Sequence, residues 1–151
     1  MAGSIVVGVD GSPPSLAALL WAADEAALRD ARVVALHAWT FVPAAPIGEP
    51  GLIPVPAADL PGQLDAERAA AEAELASALS EAFPRKPPVE VEERLAEEPA
   101  GDALVAAGND ADLVVVGSSG RSGLASALLG SVSRHVAQHA RCPVVVVKAP
   151  D

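Results

Sequence analysis

Aromatic residues and cysteine are scarce in this chain of 151 residues. It has no tyrosine, two phenylalanines and two tryptophans, so its core must be built from aliphatic side chains. The single cysteine, Cys142, excludes an intrachain disulfide. No apolar run approaches the roughly 20 residues of a membrane-spanning helix. The N-terminal segment Met1–Ser4 has neither a basic region nor an apolar signal core, and we therefore expect a cytoplasmic protein.

Positive charge is also scarce. The net charge is −10, which argues against general binding to nucleic acids or to anionic membranes. The charge is unevenly distributed: residues 59–102 contain twelve acidic and four basic residues, whereas residues 111–148 contain one acidic and four basic residues. The C-terminal part of the chain therefore suits a small anionic ligand better than the rest does.

Apolar runs alternate with helical patterns along the chain. Continuous β-branched runs are typical of buried parallel strands, and a glutamate–valine alternation is typical of a half-buried edge strand. These patterns predict five strands, at Ile5–Val9, Val33–Thr40, Val89–Leu95, Leu113–Val116 and Val144–Val147. A β-α-β-α-β-α-β-α-β order predicts an α/β fold whose mostly parallel sheet carries helices on both faces.

Four helices are predicted between these strands. The first runs from about Pro13 to Asp30 with Ser12 as its N-cap, and four residues are predicted on or near its inner face: Leu16, Leu19, Leu20 and Ala23. The others are predicted at Gln63–Phe83, from Glu97–Pro99 to near Gly108, and at Ser131–Ala140. The length and the absence of internal repeats predict one domain, residues 1–151.

The segment Pro43–Gly62 contains six prolines and three glycines. Proline removes a backbone donor and fixes φ, so this segment is predicted to be a long loop without regular helix or central strand. Loops of this length are often functional. Two interpretations stay open: a plain excursion, or a cover over a ligand or partner.

A glycine- and serine-rich segment, Gly117–Ser133, lies between the fourth strand and the last helix. Glycine lets a backbone approach a ligand closely, and loop N–H groups combine with a helix N-terminus to form an anion site. Ser118, Ser119, Ser131 and Ser133 add hydroxyl groups, and Arg121 adds a charge. The segment therefore predicts phosphate binding, although it could also be a structural connection without a ligand.

Asp10 follows the first strand, and Gly117 follows the fourth. Ligands of open parallel sheets bind outside the carboxyl ends of the strands, where the strand order reverses. If these two strands are neighbours, Asp10 and Gly117 face each other across that crevice. Asp10 could instead only shape an Asx-turn, and Arg121 could be a solvated loop charge.

The sequence offers little for catalysis or for metal binding. His37 lies in a predicted strand, and His135 and His139 are four residues apart on a helix without the carboxylates or cysteines that would complete a metal site. Cys142 is interpreted as a small buried apolar residue. The glycine segment lacks the Gly-Lys-Ser/Thr of a P-loop, and neither a base to orient water nor a second acidic metal ligand is evident. We expect no catalytic residue, and at most slow hydrolysis of a phosphate-containing ligand.

Four matches, in order along the chain, make it resemble the universal stress protein family over essentially its whole length. The segments Ile5–Ser12 and Asp112–Gly117 are similar to the family's first strand with its acidic turn and to its fourth strand. Its glycine pattern, which is Gly, two residues, Gly, nine residues, Gly and then Ser or Thr, is matched by Gly117, Gly120, Gly130 and Ser131. Cys142–Val147 resembles its last strand.

This resemblance implies a sheet of order 3-2-1-4-5, the adenine-nucleotide alpha-hydrolase-like fold and, because the glycine pattern is intact, the ATP-binding subgroup. Mg²⁺ would enter with the phosphates. A homodimer would form through Val144–Val147. In the glycine segment, Ser119 stands where many relatives have a longer basic or imidazole side chain. The nucleotide-binding residues implied are Gly8, Val9, Asp10, Ala38, Val116, Gly117, Gly120, Arg121, Gly130, Ser131, Val132 and Ser133.

Three functions remain in competition. The first is an ATP-binding regulatory or stress-response protein, in which the nucleotide changes conformation, dimer stability or partner binding. The second is a homodimeric interaction module that needs no nucleotide. The third is an enzyme of a related nucleotide-binding fold, which would need substrate residues or a flavin site that the sequence does not supply, and it ranks last.

Overall fold

A computed structural model describes residues 2–41, 60–120 and 129–150. Arg121 and residues 43–59 of the predicted loop lie outside this part of the chain. Within it, strands and helices alternate as the sequence pattern predicts. They are β1 Ser4–Gly8, α1 Pro13–Arg29, β2 Arg32–Trp39, α2 Leu60–Ala82, β3 Val91–Glu97, α3 Ala100–Gly108, β4 Leu113–Gly117, α4 Ser131–His139 and β5 Val144–Val147.

The five strands form one parallel sheet in the order β3-β2-β1-β4-β5. This confirms the predicted strand order. β1 and β4 are therefore neighbours at the centre of the sheet, although Gly8 at the end of β1 and Leu113 at the start of β4 are 105 positions apart in the sequence. From β1 the sheet extends on one side to β2 and then β3, and from β4 it extends on the other side to β5. The strand order therefore reverses between β1 and β4.

Two hydrophobic cores lie on opposite faces of the sheet. Because side chains alternate along a strand, Val7 and Val115 pack with α1 and α2 on one face, while Val6 and Val114 pack with α3 and α4 on the other. All four valines are at most 2% exposed. Cys142 is half-buried and packs against the second core, as an apolar residue would. The helices are therefore fixed on both faces, as predicted.

Helix α1 begins at Pro13, as predicted, with Ser12 as its N-cap; the Ser12 hydroxyl accepts from the Ser15 N–H. Gly11 before it has φ 79°, a conformation that glycine adopts at little cost. The buried stripe of α1 consists mainly of alanines around Leu19. The prediction that Leu20 lies on or near this face is wrong: Leu20 is 45% exposed, because it follows Leu19 by one residue, about 100° around the helix.

Two helix starts differ from the prediction. Helix α2 begins at Leu60, so the last three residues of the predicted loop form its first turn, where Pro61 is tolerated because its missing N–H would have no partner there. Helix α3 begins at Ala100 rather than near Glu97, which is the last residue of β3. Although α2 has 23 residues, none of the helices in the described ranges is long and apolar enough to cross a membrane.

Charged side chains line the edge strand β3. Arg94 donates to Glu92 at 2.7 Å, and Arg32 of β2 lies 3.3 Å from the other Glu92 oxygen. The hydrogen bond from Arg94, helped by the charges of both arginines, holds the pKa of Glu92 below its usual range. Charged edges discourage pairing with further strands, so β3 is protected in a way that the all-valine strand β5 at the opposite edge is not.

Candidate functional site

A cleft of about 260 Å³ opens at the carboxyl ends of β1 and β4. Asp10 and Gly117 both line it, as predicted from the reversal of strand order between these strands. The N-terminus of α1 packs closely behind Gly117: a Cβ placed there would lie 2.7 Å from the Pro14 carbonyl carbon. The bottom of the cleft is therefore formed by backbone as much as by side chains.

The cleft brings together most of the residues assigned to a nucleotide site from the sequence. Arg121 lies outside the described part of the chain. The other eleven all line the cleft, namely Gly8, Val9, Asp10, Ala38, Val116, Gly117, Gly120, Gly130, Ser131, Val132 and Ser133. The structure therefore places these residues around one space, while their contacts with a ligand stay predictions.

Backbone and hydroxyl groups join the two described ends of the glycine segment. The Gly130 N–H donates to the Ser118 carbonyl at 2.7 Å. The Ser133 hydroxyl, on a residue that is 1% exposed, lies 3.2 Å from the same carbonyl oxygen and 3.0 Å from that of Gly130. Its single proton is thus used within the segment, which brings Gly130 next to Gly120.

Helix α4 begins at the rim of the cleft. Gly130 is its N-cap, and the first three helical residues, Ser131–Ser133, line the cleft. The first N–H groups of a helix have no partner within it, and the helix dipole makes this end partly positive. None of the cleft-lining residues in the described part of the chain is a lysine or arginine. The described cleft would therefore hold an anion with backbone N–H groups and hydroxyls.

Asp10 forms the Asx-turn that the sequence left as an alternative to a ligand role. Its Oδ1 accepts from the Ser12 N–H at 2.9 Å and from the Ser12 hydroxyl. Its Oδ2 points toward the glycine segment, because a Cβ at Gly120 would lie 2.8 Å from it. The two roles are compatible: one oxygen shapes the start of α1 while the carboxylate lines the cleft.

His37 is buried at the cleft, with 6% exposure. Its Nδ1 lies 2.7 Å from the Val9 carbonyl oxygen, and its Nε2 lies 3.1 Å from Oε2 of Glu74 on α2. The other two histidines stack on each other on α4, and His135 lies against α3, where its Nε2 is 3.2 Å from Oδ1 of Asp102. No cluster of three or more metal-ligating side chains occurs in the described ranges.

Ser119, one of the serines expected to offer a hydroxyl to a phosphate, also lines the cleft. Five further residues of the cleft were not assigned to the site from the sequence, namely Ser15, Leu36, His37, Ala100 and Leu104. The positions of Ser15, Ala100 and Leu104 depend on how α1 and α3 pack against the sheet, which a single sequence does not specify. A partial signal existed for Leu36 and His37. Both lie near the carboxyl end of a predicted strand beside β1, and that edge of a parallel sheet is where ligands bind.

The model of the family described as Universal stress protein family matches residues 1–148. The chain is 41% identical over 145 residues to universal stress protein Rv2623 of Mycobacterium tuberculosis. These residues make up 95% of this chain and 44% of that protein. The chain spans less than half the length of the curated relatives that it matches. The likeness therefore covers nearly all of this chain but only part of each relative.

Two solved structures of similar fold contain adenine nucleotides. One is a universal stress protein in complex with cAMP, 28% identical, with a TM-score of 0.58 over 99% of this chain and 98% of that one. The other is the universal stress protein of Archaeoglobus fulgidus in complex with dAMP, 25% identical, with a TM-score of 0.56 over 97% and 98%. The family model matches almost every residue, and the sheet order and the glycine pattern agree with it. This chain belongs to the universal stress protein family.

Proposed function

We propose that this chain binds an adenine nucleotide, ATP, in the cleft between β1 and β4, and acts as a nucleotide-dependent regulatory protein of the stress response. The observation that carries the proposal is the convergence around one cleft of eleven residues that the family resemblance of the sequence implies as nucleotide-binding. The cAMP and dAMP complexes of two related proteins support the choice of adenine. Residues 1–151 would form a single domain, which the match of one family model to residues 1–148 supports.

Each part of the cleft suits one part of the nucleotide. Asp10 offers a carboxylate that can accept from ribose hydroxyls. The N-terminal N–H groups of α4 and the backbone near Gly120 suit the phosphates. Ala38, at the end of β2, offers main-chain groups to the adenine. Mg²⁺ would enter with the phosphates, because magnesium is commonly held by substrate phosphates and water. We propose no general base, and therefore slow hydrolysis at most.

The proposal predicts that Gly120→Val weakens ATP binding at least about tenfold, equivalent to about 1.4 kcal/mol. The new side chain would lie against Oδ2 of Asp10, in the space where the backbone approaches the ligand. Gly120 does not have a positive φ, so the substitution does not strain the backbone. Calorimetric titration of nucleotide-free protein with ATP, with and without Mg²⁺, measures the effect.

Gly62→Ala is the matched control for this titration. It also adds carbon to a glycine, but nothing lies within 4 Å of the new Cβ, and Gly62 is on α2 rather than in the cleft. Wild-type protein and Gly62→Ala should bind ATP equally. Absence of saturable heat and of any thermal shift with ATP in the wild-type protein would contradict the proposed function and favour an interaction module that needs no nucleotide.

The second part of the proposal is a homodimer formed through β5. This strand is at the edge of the sheet, and its four valines, Val144–Val147, are all only half-buried. Apolar edge strands are usually covered or paired. Val145→Lys should shift the protein to monomer, with sedimentation velocity as the measurement. A wild-type monomer at all concentrations would contradict this assignment, and a dimer unaffected by ATP would favour the nucleotide-independent module.

A further inference from the structure

We propose that His37 is a positioning residue for nucleotide binding, and that it acts through one proton shared with Glu74. This inference rests on the proposed function, because the cleft that His37 lines is the one assigned to ATP. His37 joins two elements that border the cleft: the Val9 carbonyl at the end of β1, and Glu74 on α2.

Proton counting at the imidazole shows why one proton is shared. A carbonyl oxygen can only accept, so the 2.7 Å contact between Nδ1 and the Val9 oxygen requires a proton on Nδ1. A neutral ring then has a lone pair on Nε2, which faces Oε2 of Glu74 at 3.1 Å. Two lone pairs repel at this distance. The pair therefore needs one further proton, carried either by Nε2 as imidazolium or by the carboxyl group.

The position of His37 links this proton to the cleft. Besides the nucleotide cleft, His37 lines an adjoining groove of about 280 Å³ between β2 and α2. Asp10 and Ala38 also line both spaces, so His37 shares the wall between groove and cleft with two residues assigned to the nucleotide. The 3.1 Å contact between Nε2 and Glu74 ties α2 to this wall. Of the polar contacts that the described residues make with the ring, the one with the Val9 carbonyl would remain without it.

The charged groups that face His37 are mostly acidic. On α2, Glu67 and Glu74 line the groove, and Arg68 lies over the Trp39 ring at 5.9 Å. From the end of β1, Asp10 faces the same groove. On β3, Leu95 is opposite His37 in the parallel register, so Glu93 and Glu97, two residues to either side of Leu95, share its face of the sheet.

The expected direction follows from the proton count. At low pH the shared proton is present, α2 is tied to the wall, and ATP binds to a positioned cleft. As pH rises, the proton is lost and ATP affinity falls. We expect about a fivefold loss of ATP affinity between about pH 6 and about pH 9. The side chain of Glu74 is 46% exposed, which moderates the effect.

Glu74→Gln separates the hydrogen bond from the proton. A glutamine amide can donate to the lone pair of neutral Nε2, so the contact survives without the extra proton. The ratio of wild-type to Glu74→Gln affinity for ATP should therefore fall about fivefold over the same pH range. Protonation of ATP itself cancels in this ratio. Glu72→Gln, which removes a neighbouring exposed carboxylate of α2, is the charge-matched control and should keep the wild-type pH dependence.

Nuclear magnetic resonance of the nucleotide-free protein tests the shared proton independently of ATP. In wild-type protein the resonances of the His37 ring and of the backbone amide of residue 74 should change over the same pH range. The pH-dependent change at this backbone amide should vanish in Glu74→Gln and in His37→Asn. An affinity ratio that does not change with pH, or separate titration of the two groups, overturns the proposal. If no variant binds ATP at any pH, the proposed function fails and with it the positioning role, even where the shared proton is observed.

Discussion

Gly117→Ala is expected to lower the free energy of unfolding by about 3 kcal/mol, because the new methyl group would overlap the backbone of α1. A Cβ at this position would lie 2.7 Å from the Pro14 carbonyl carbon, 2.8 Å from the Pro14 Cβ and 2.9 Å from the Ser15 nitrogen. Backbone atoms cannot rotate away as the end of a long side chain can. Either β4 or the start of α1 must therefore shift, and both border the cleft.

Urea unfolding measures this loss, with Gly62→Ala as the control. Gly62 has open space around it in the first turn of α2, so the added methyl group should change the free energy of unfolding by no more than about 0.5 kcal/mol, in the stabilising direction. A Gly117→Ala protein as stable as the wild type would mean that α1 does not approach β4 as closely as described. Because a substitution at Gly117 would disturb the packing of α1 on β4, Gly120 rather than Gly117 is the glycine suited to a test of nucleotide binding alone.

Local sequence signals were sufficient for most of the fold. Runs of valine and isoleucine marked the buried strands because a parallel sheet is covered on both faces. The pair Ser12–Pro13 marked the start of α1, since a hydroxyl cap and a fixed φ both favour that position. The start of α2 was missed because proline is read as a helix breaker, although in the first turn it costs little.

The cleft was predictable to the extent that it depends on strand ends and on the glycine pattern. Asp10 and Gly117 could be placed together because the carboxyl ends of neighbouring parallel strands meet at one edge. The pairing of His37 with Glu74 could not be predicted, since they are 37 positions apart in the sequence and the contact depends on how α2 lies on β2. Likewise, the contribution of Leu104 requires the packing of α3 against Gly8.

Leu19→Ala is expected to lower the free energy of unfolding by about 3 kcal/mol, because it leaves a cavity between α1 and the sheet. Leu19 is fully buried in the core that contains Val7 and Val115. Most of its neighbours on the buried stripe of α1 are alanines, which are too small to fill the space by moving a side chain. Urea unfolding measures the change, and an unaltered dependence on urea concentration would indicate that the denatured state is unchanged.

Leu20→Ala is the matched variant, because it removes the same atoms from the next residue of the helix. Leu20 is 45% exposed, so the loss should stay below about 1 kcal/mol. Equal losses for the two variants, or a larger loss for Leu20→Ala, would mean that α1 is rotated by up to about 100° around its axis. Such a rotation would also move Pro14 away from Gly117, and the close backbone contact that forms the bottom of the cleft would not exist.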